Sequence, residues 1–316
     1  MAKLKPWFLI CFLFSGTTTV VAQNFKNEFG FKSENDSYLL NKQDRYYTNG
    51  LFVYFRHAAS QKKLGKKYKK LIYEFSGGQK IYNPISGYRP NPVKQDRPFA
   101  AYLYLGANAS YYYKNESVLK IGVDIGTIGP KALGKELQVF LHKMVGLYEV
   151  DGWQYQIKND FAFNLYAQYT NLLFRNADKN LDFSLESAAN LGTTFSSLGL
   201  GILARTGNIN QLFNSVSTNS RIQNKAEIDK PKTEFFFYVK PQLSIVAYDA
   251  TVSGSMFNND SEVTFNTKPL VFAQQLGINY STSRVTIDYS LFFKSREIKS
   301  TAIAHQYGSI SVLYRF

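Results

Sequence analysis

The chain has 316 residues, of which 45% are hydrophobic, 16% aromatic and 19% charged, with 26 Phe and 23 Tyr. That aromatic load is far too high for a disordered chain, and a mean hydropathy of −0.25 excludes a bundle of membrane helices. The formal charge of +14 points to an anionic partner, and a single cysteine, Cys11, excludes an internal disulfide and a cysteine-based zinc site.

In chain order, Lys3 and Lys5 precede a short apolar core, Trp7 to Phe14, and Val20-Val21-Ala22 offers a small-residue cleavage site before Gln23. Residues 1–22 are therefore expected to be a secretory signal peptide, leaving 23–316 as one domain. Export makes cytoplasmic nucleic-acid binding a poor explanation of the charge. Period-two alternation then recurs. Leu119, Ile121, Val123 and Ile125 alternate with Lys120, Gly122, Asp124 and Gly126. Phe161 to Thr170, Leu181 to Glu186 and Val285 to Lys294 repeat the pattern. Each such segment puts one face in an apolar medium and the other in a polar one.

Strands are expected at 25–34, 47–57, 70–80, 99–113, 116–127, 155–174, 180–194, 197–205, 234–250, 268–281, 284–294 and 305–316. One segment breaks the pattern. After Gly129-Pro130, Leu133, Leu137, Phe140, Leu141 and Met144 recur at three- and four-residue spacing, which predicts an amphipathic helix over 131–146. Residues 206–233 are polar and rich in Asn, Ser and Lys; they read either as a mobile connection or as a fault in the strand count.

Three features favour lipid as the apolar medium. The segments run to ten residues or more with aromatics near their ends. The polar faces carry charges (Asp124, Glu186, Lys240, Asp288) that a lumen can pair or hydrate. Ile310, Val312, Tyr314 and Phe316 alternate to a terminal aromatic, which resembles the signal read by the barrel assembly machinery. The expected fold is an all-β transmembrane antiparallel barrel of about twelve strands in a bacterial outer membrane, closed because lipid tolerates no open sheet edge.

With both ends periplasmic, four polar stretches meet at the outer mouth. They are Glu34 to Ser37, Asp44 to Gly50, Gln95 to Ala100, and the helix with Gln138 and His142 at i and i+4. Each has a plainer reading. Asn-Asp-Ser is a turn former, Asp-Arg pairs at rims are solvated ion pairs, and a helix histidine beside an apolar stripe is often only packed. His57 reads as structural and His305 as a weaker second base; the lysines from Lys62 to Lys70 read as a solvated turn. There is no GxSxG, HExxH, P-loop or EF-hand spacing. What remains is water activation by histidine, with a metal or oxyanion donors.

The run ENDSY followed by DRYYTNG, then QDRPFAAYLYLG, IGPKALGKELQVFLH and Gly152-Trp153, resembles the lipid A 3′-O-deacylase family of Gram-negative outer membranes. The resemblance covers roughly residues 28–160, and more weakly the later strands. It implies a Ca²⁺-dependent esterase that removes the 3′-linked acyloxyacyl chain of lipid A at the outer rim. It implies His142 as general base, Asp36 as a Ca²⁺ ligand, and Asn35, Thr48 and Gln138 orienting water, metal or substrate. A neutral imidazole is then required, so activity should fade in acid. Two positions depart from the pattern. Arg89 is the nearest candidate for the family's basic substrate contact, and Tyr148, next to Glu149, stands where a carboxylate is expected six residues after the histidine. The rivals are a phospholipase-type esterase on the same scaffold and a non-catalytic barrel, either channel or surface-binding protein.

Overall fold

The structure, a computed structural model, describes residues 25–39, 44–60, 64–65, 67–224 and 231–316; the expected signal peptide lies outside them. Twelve strands form one closed antiparallel sheet. They are β1 (Asn27–Asn35), β2 (Tyr46–Ala58), β3 (Tyr68–Asn83), β4 (Ala100–Tyr113), β5 (Ser117–Ile128) and β6 (Asp160–Arg175). Then come β7 (Leu181–Gly192), β8 (Phe195–Asn208), β9 (Glu234–Asp249), β10 (Leu270–Ser281), β11 (Val285–Lys294) and β12 (His305–Arg315). The expected strands hold, with ends moved by a few residues. The helix is α1 (Gly134–Val145), shorter than 131–146 because Pro130–Ala132 form a separate 3₁₀ turn.

Closure joins the first strand to the last, with Glu28 opposite Arg315 and Asn35 opposite Gly308. The seam is also held from inside. Glu28 pairs with the Arg315 guanidinium, whose Nε lies 2.8 Å from its carboxylate, and accepts from Arg56 Nη1 at 2.6 Å. The alternation resolves as expected: Phe29, Phe31, Val53, Phe55, Leu105, Ile125, Phe163 and Ile287 point outward and are exposed. The inward set forms ion pairs across the lumen, Lys120 with Glu74 at 3.0 Å and Lys240 with Glu186 at 3.2 Å.

Residues 209–224 overturn the reading as a mobile connection. Leu212, Phe213 and Ile222 fold into the lumen at the end that carries the chain termini, against inward-facing Ala58, Ile72, Tyr112 and Val118. Val216 packs on Phe236 and Leu313. Lys70 Nζ donates to Asn214 Oδ1 at 2.7 Å and to the Ser220 carbonyl at 2.8 Å. Arg205 donates to Ser215 and Asp182, and Glu234 accepts from Val216 N at 2.9 Å. The segment is a plug, and its polar composition serves the charged wall it meets. Above it lies a polar lumenal cavity of about 530 Å³.

Candidate active site

At the opposite end the chain leaves β5 through Gly129, whose φ of +91° and contact with the Lys158 carbonyl, 2.6 Å from an added Cβ, admit only glycine. α1 then lies against the outer face of β3 and β4. Its start is pressed close, since a Cβ on Gly134 would sit 2.4 Å from Ala101 Cβ and 2.7 Å from the Trp153 ring. Gly134, Gln138 and His142 form the buried stripe, while Leu133, Phe140, Met144 and Val145 are exposed. A soluble amphipathic helix does the reverse. The exposed side mixes these apolar residues with Lys135, Glu136 and Lys143, which suits a helix at the boundary between lipid and water, and the polar Gln138 and His142 turn inward.

The polar stripe carries the chemistry. His142 Nδ1 lies 2.9 Å from the Tyr148 carbonyl. A carbonyl only accepts, so Nδ1 carries a proton, and in the neutral imidazole Nε2 is then the nitrogen with the lone pair. Nε2 faces Asp44 Oδ2 at 3.6 Å. Asp44 is itself held: it accepts from the Tyr148 hydroxyl and, at 3.2 Å, from Asn83 Nδ2. Gln138 is oriented by the Trp153 indole, which donates to its Oε1 at 2.8 Å. That leaves the Gln138 Nε2 donor buried with no partner. Gly87 shows how tightly these groups gather. A Cβ there would lie 2.8 Å from Asp44 Oδ2, 2.9 Å from the Tyr148 hydroxyl and 3.0 Å from Gln138 Nε2.

Asp36 follows Asn35 at the end of β1 and is 3% exposed. Its Oδ2 accepts from Arg45 N at 2.8 Å, and Asn35 Oδ1 caps the turn by accepting from Ser37 N at 2.8 Å. Burial, and then the Asp44 carboxylate, push the Asp36 carboxyl up to about 8. Among the described residues no lysine or arginine forms an ion pair with Asp36 or Asp44. Thr48 sits at the β2 bulge, where the register against β3 skips from Tyr47 to Asn49. Bulges re-aim side chains, and Thr48 Oγ1 and Asn49 Oδ1 are buried without partners. Two like-charged carboxylates beside orphaned neutral oxygens are a hard-oxygen donor set, which fits Ca²⁺ rather than zinc. Among the described residues no cluster of three His, Cys, Asp or Glu offers a metal site, so any further ligands would be neutral oxygens.

The structure thus brings Asp36, Asn35, Thr48, Gln138 and His142 to one end of the barrel. Arg89 lies in the Gly87 loop, its backbone N–H bonded to the Asp151 carbonyl at 2.7 Å and its Nε buried without a partner. The Gln95–Ala100 stretch braces the rim. Asp96 accepts from the Tyr46 hydroxyl at 2.8 Å, Arg97 donates to Thr251 at 2.7 Å, and Phe99 packs on Trp153. The reading of Asp96-Arg97 as a solvated ion pair is therefore replaced, since both are buried on other partners. His57 bonds Asn27 Oδ1 at 2.8 Å near the terminal end, and His305 is buried beside Tyr46. Of the lysines from Lys62 to Lys70, Lys62, Lys63 and Lys66 lie outside the described residues. Lys70 is buried on the plug, so the solvated-turn reading fails for it. Asp44 and the Tyr148 carbonyl are what sequence reasoning missed. Tyr148 looked like a lost carboxylate, yet its carbonyl sets the histidine tautomer and its hydroxyl holds a carboxylate from another loop.

A family model described as outer membrane protein LpxR matches residues 7–316. Among solved structures, LpxR from Salmonella typhimurium superposes with a TM-score of 0.75 at 22% identity, covering 92% of this chain and 100% of that one. The β domain of the Bordetella autotransporter BrkA gives 0.50 at 8% identity, covering 93% and 100%, which is a likeness of barrel alone. No curated protein matches the sequence. The match over nearly the whole sequence shows that this chain belongs to the LpxR family of outer-membrane proteins, the lipid A 3′-O-deacylase family its separated motifs resemble.

Proposed function

We propose that the protein hydrolyses the 3′-linked acyl ester of lipid A, with α1 and its loops on the extracellular side. The observation that carries this reading is His142: Nδ1 is held by a carbonyl and Nε2 faces Asp44 at 3.6 Å, on the buried side of a helix that exposes Leu133, Phe140 and Met144. Orientation is supported by loop lengths. Five of the six connections at the helix end have ten residues or more, the sixth being Thr193-Thr194, whereas three of the five at the other end, 114–116, 176–180 and 282–284, are tight, the others being 59–67 and the plug-bearing 209–233. Bacterial barrels keep their short turns periplasmic.

His142 Nε2 takes a proton from water as the oxygen attacks the ester carbonyl. Asp44, 3.6 Å away, stabilises the imidazolium that forms. Gln138 Nε2, a buried donor with no partner, is positioned to bind the developing oxyanion. His142 then returns its proton to the departing sugar oxygen, releasing a fatty acid. Asp36, with Thr48 and Asn49 oxygens, would hold Ca²⁺, which supplies electrophilic charge at the ester carbonyl. Arg89 shares its loop with Gly87, which packs on Asp44, Tyr148 and Gln138, and is proposed to contact the substrate head group. The test is mass spectrometry of lipid A from cells with and without the protein. The expected result is loss of one 3′ acyl group only when the protein is present; unchanged lipid A with Ca²⁺ supplied would sink the reading. A pore is the less favoured reading, because Leu212, Phe213 and Ile222 occupy part of the lumen at the terminal end.

A further inference from the structure

The wall beneath α1 is not uniform. β3, β4 and β5 present outward rows to lipid, set by the register. At the rim Ile81 and Ala101 pair and are buried under the helix. The next rows down are Gln79 with Leu103, then Gly77 with Leu105. Below them Phe75, Ala107 and Val123 form one row, and Tyr73, Ala109 and Ile121 the next. Phe75 is 59% exposed and Tyr73 43%, so they stand as ridges, while Ala107 and Ala109 leave a trough between β3 and β5. The trough has a volume of about 550 Å³, within the range of small-ligand sites. Gly77 keeps the way in from the helix open, because it puts no side chain beside Leu105, which a Cβ would touch at 3.4 Å.

We infer that this trough holds the distal part of the acyl chain being cleaved and sets the chain length accepted; the inference rests on the deacylase reading above. Its continuity with the surface that α1 already covers singles out this occupant. The same two strands, in the same outward register, run from Ala101 under the helix to Ala109 in the trough. Its outward walls are apolar and face hydrocarbon. Leu103 to Ala109 is six residues, roughly 20 Å along a strand. At a tilt of about 40° this is roughly 15 Å of depth, or one leaflet of a ~30 Å core. A chain held by its ester at His142 therefore reaches the alanines only with its far carbons.

The test uses the purified full chain in detergent micelles with Ca²⁺ and two lipid A preparations differing in the length of the 3′ chain. Ala107→Phe and Ala109→Phe fill the trough, and Ala109→Leu does so more gently should an aromatic disturb assembly. The expected result is a fall of about tenfold in kcat/KM for the longer chain, carried by KM because the added side chain clashes with its far carbons, with less than a twofold change for the shorter. Equal changes for both substrates, or none, would overturn the inference. If the unaltered chain releases no fatty acid from either, the deacylase reading fails, and a second measurement decides the trough. Native mass spectrometry then compares retention of long-chain lipid A by His142→Ala with and without Ala109→Phe. Equal retention means the trough holds only passing membrane lipid and discards the inference; weaker retention in the filled variant upholds it.

Discussion

The two ends of the barrel treat buried polarity in opposite ways. At the plugged end, carboxylates face guanidinium groups: Glu116 meets Arg175 at 2.6 Å, Asp182 meets Arg205 at 2.6 Å, and Glu234 lies 3.5 Å from Arg221. At the helix end, Asp36 and Asp44 lie close enough to raise the Asp36 carboxyl, and the oxygens of Thr48, Asn49 and Asn83 and the Gln138 amide are left without partners. Buried polar groups are normally satisfied, and clustered exceptions mark where a ligand or reaction completes the set. One end is dominated by carboxylate–guanidinium pairs. The other, on the proposed reading, is completed by an ion and an ester.

That contrast can be broken most sharply at His142. His142→Ala should lower deacylation by about a thousandfold while the barrel keeps its heat-modifiable gel mobility; retained activity would remove the base from the scheme. Arg205→Ala should do the converse. Asp182 keeps Arg175 at 2.9 Å but loses its second guanidinium, and Ser215 loses a donor, which should cost about 1–3 kcal/mol of stability, read as a lower unfolding midpoint in denaturant, with activity within twofold at 25 °C. A simultaneous loss of activity would mean that the two ends are coupled. Gly87→Ala drives a methyl into Asp44, Tyr148 and Gln138, and a misplacement of about 1 Å is worth about a hundredfold in rate. An unchanged rate would show that these groups are looser than their contacts suggest. The smallest effect is expected for Tyr148→Phe, which removes one hydrogen bond to Asp44, worth about 1 kcal/mol, and keeps the carbonyl that orients His142. A fall of about fivefold in kcat is expected; a thousandfold fall would make the hydroxyl itself catalytic. Chelation sharpens the comparison further. Activity lost in EDTA and restored by Ca²⁺, with Asp36→Asn unresponsive, would place the ion at the helix end.

Most of the barrel was legible because lipid imposes a strict period of two, as in Phe161 to Tyr169 and Val285 to Phe293. The plug was not. Leu212, Phe213, Val216 and Ile222 follow no regular spacing and sit among Ser and Asn that read as loop. Their partners, such as Tyr112 and Leu313, are about a hundred residues away. The histidine helix was visible from its spacing, but not its inverted burial, since periodicity identifies two faces and not which medium each meets. Asp44 escaped because its partner Tyr148 lies in another loop and is not itself acidic. The lipid wall hid Ala107 and Ala109 in the same way. Small residues in a strand carry no signal until the register shows what stands beside them.

The position of α1 has a further consequence for direction. Because α1 packs on the outward side of Ala101 and Ile81, the site lies outside the cylinder, and the lumen that residues 209–224 partly occupy is not its route of supply or release. On the proposed reading, the attacking water arrives from the surroundings of the cell and the severed fatty acid departs into the outward leaflet. The protein would thus remodel the cell's coat without opening a leak through it.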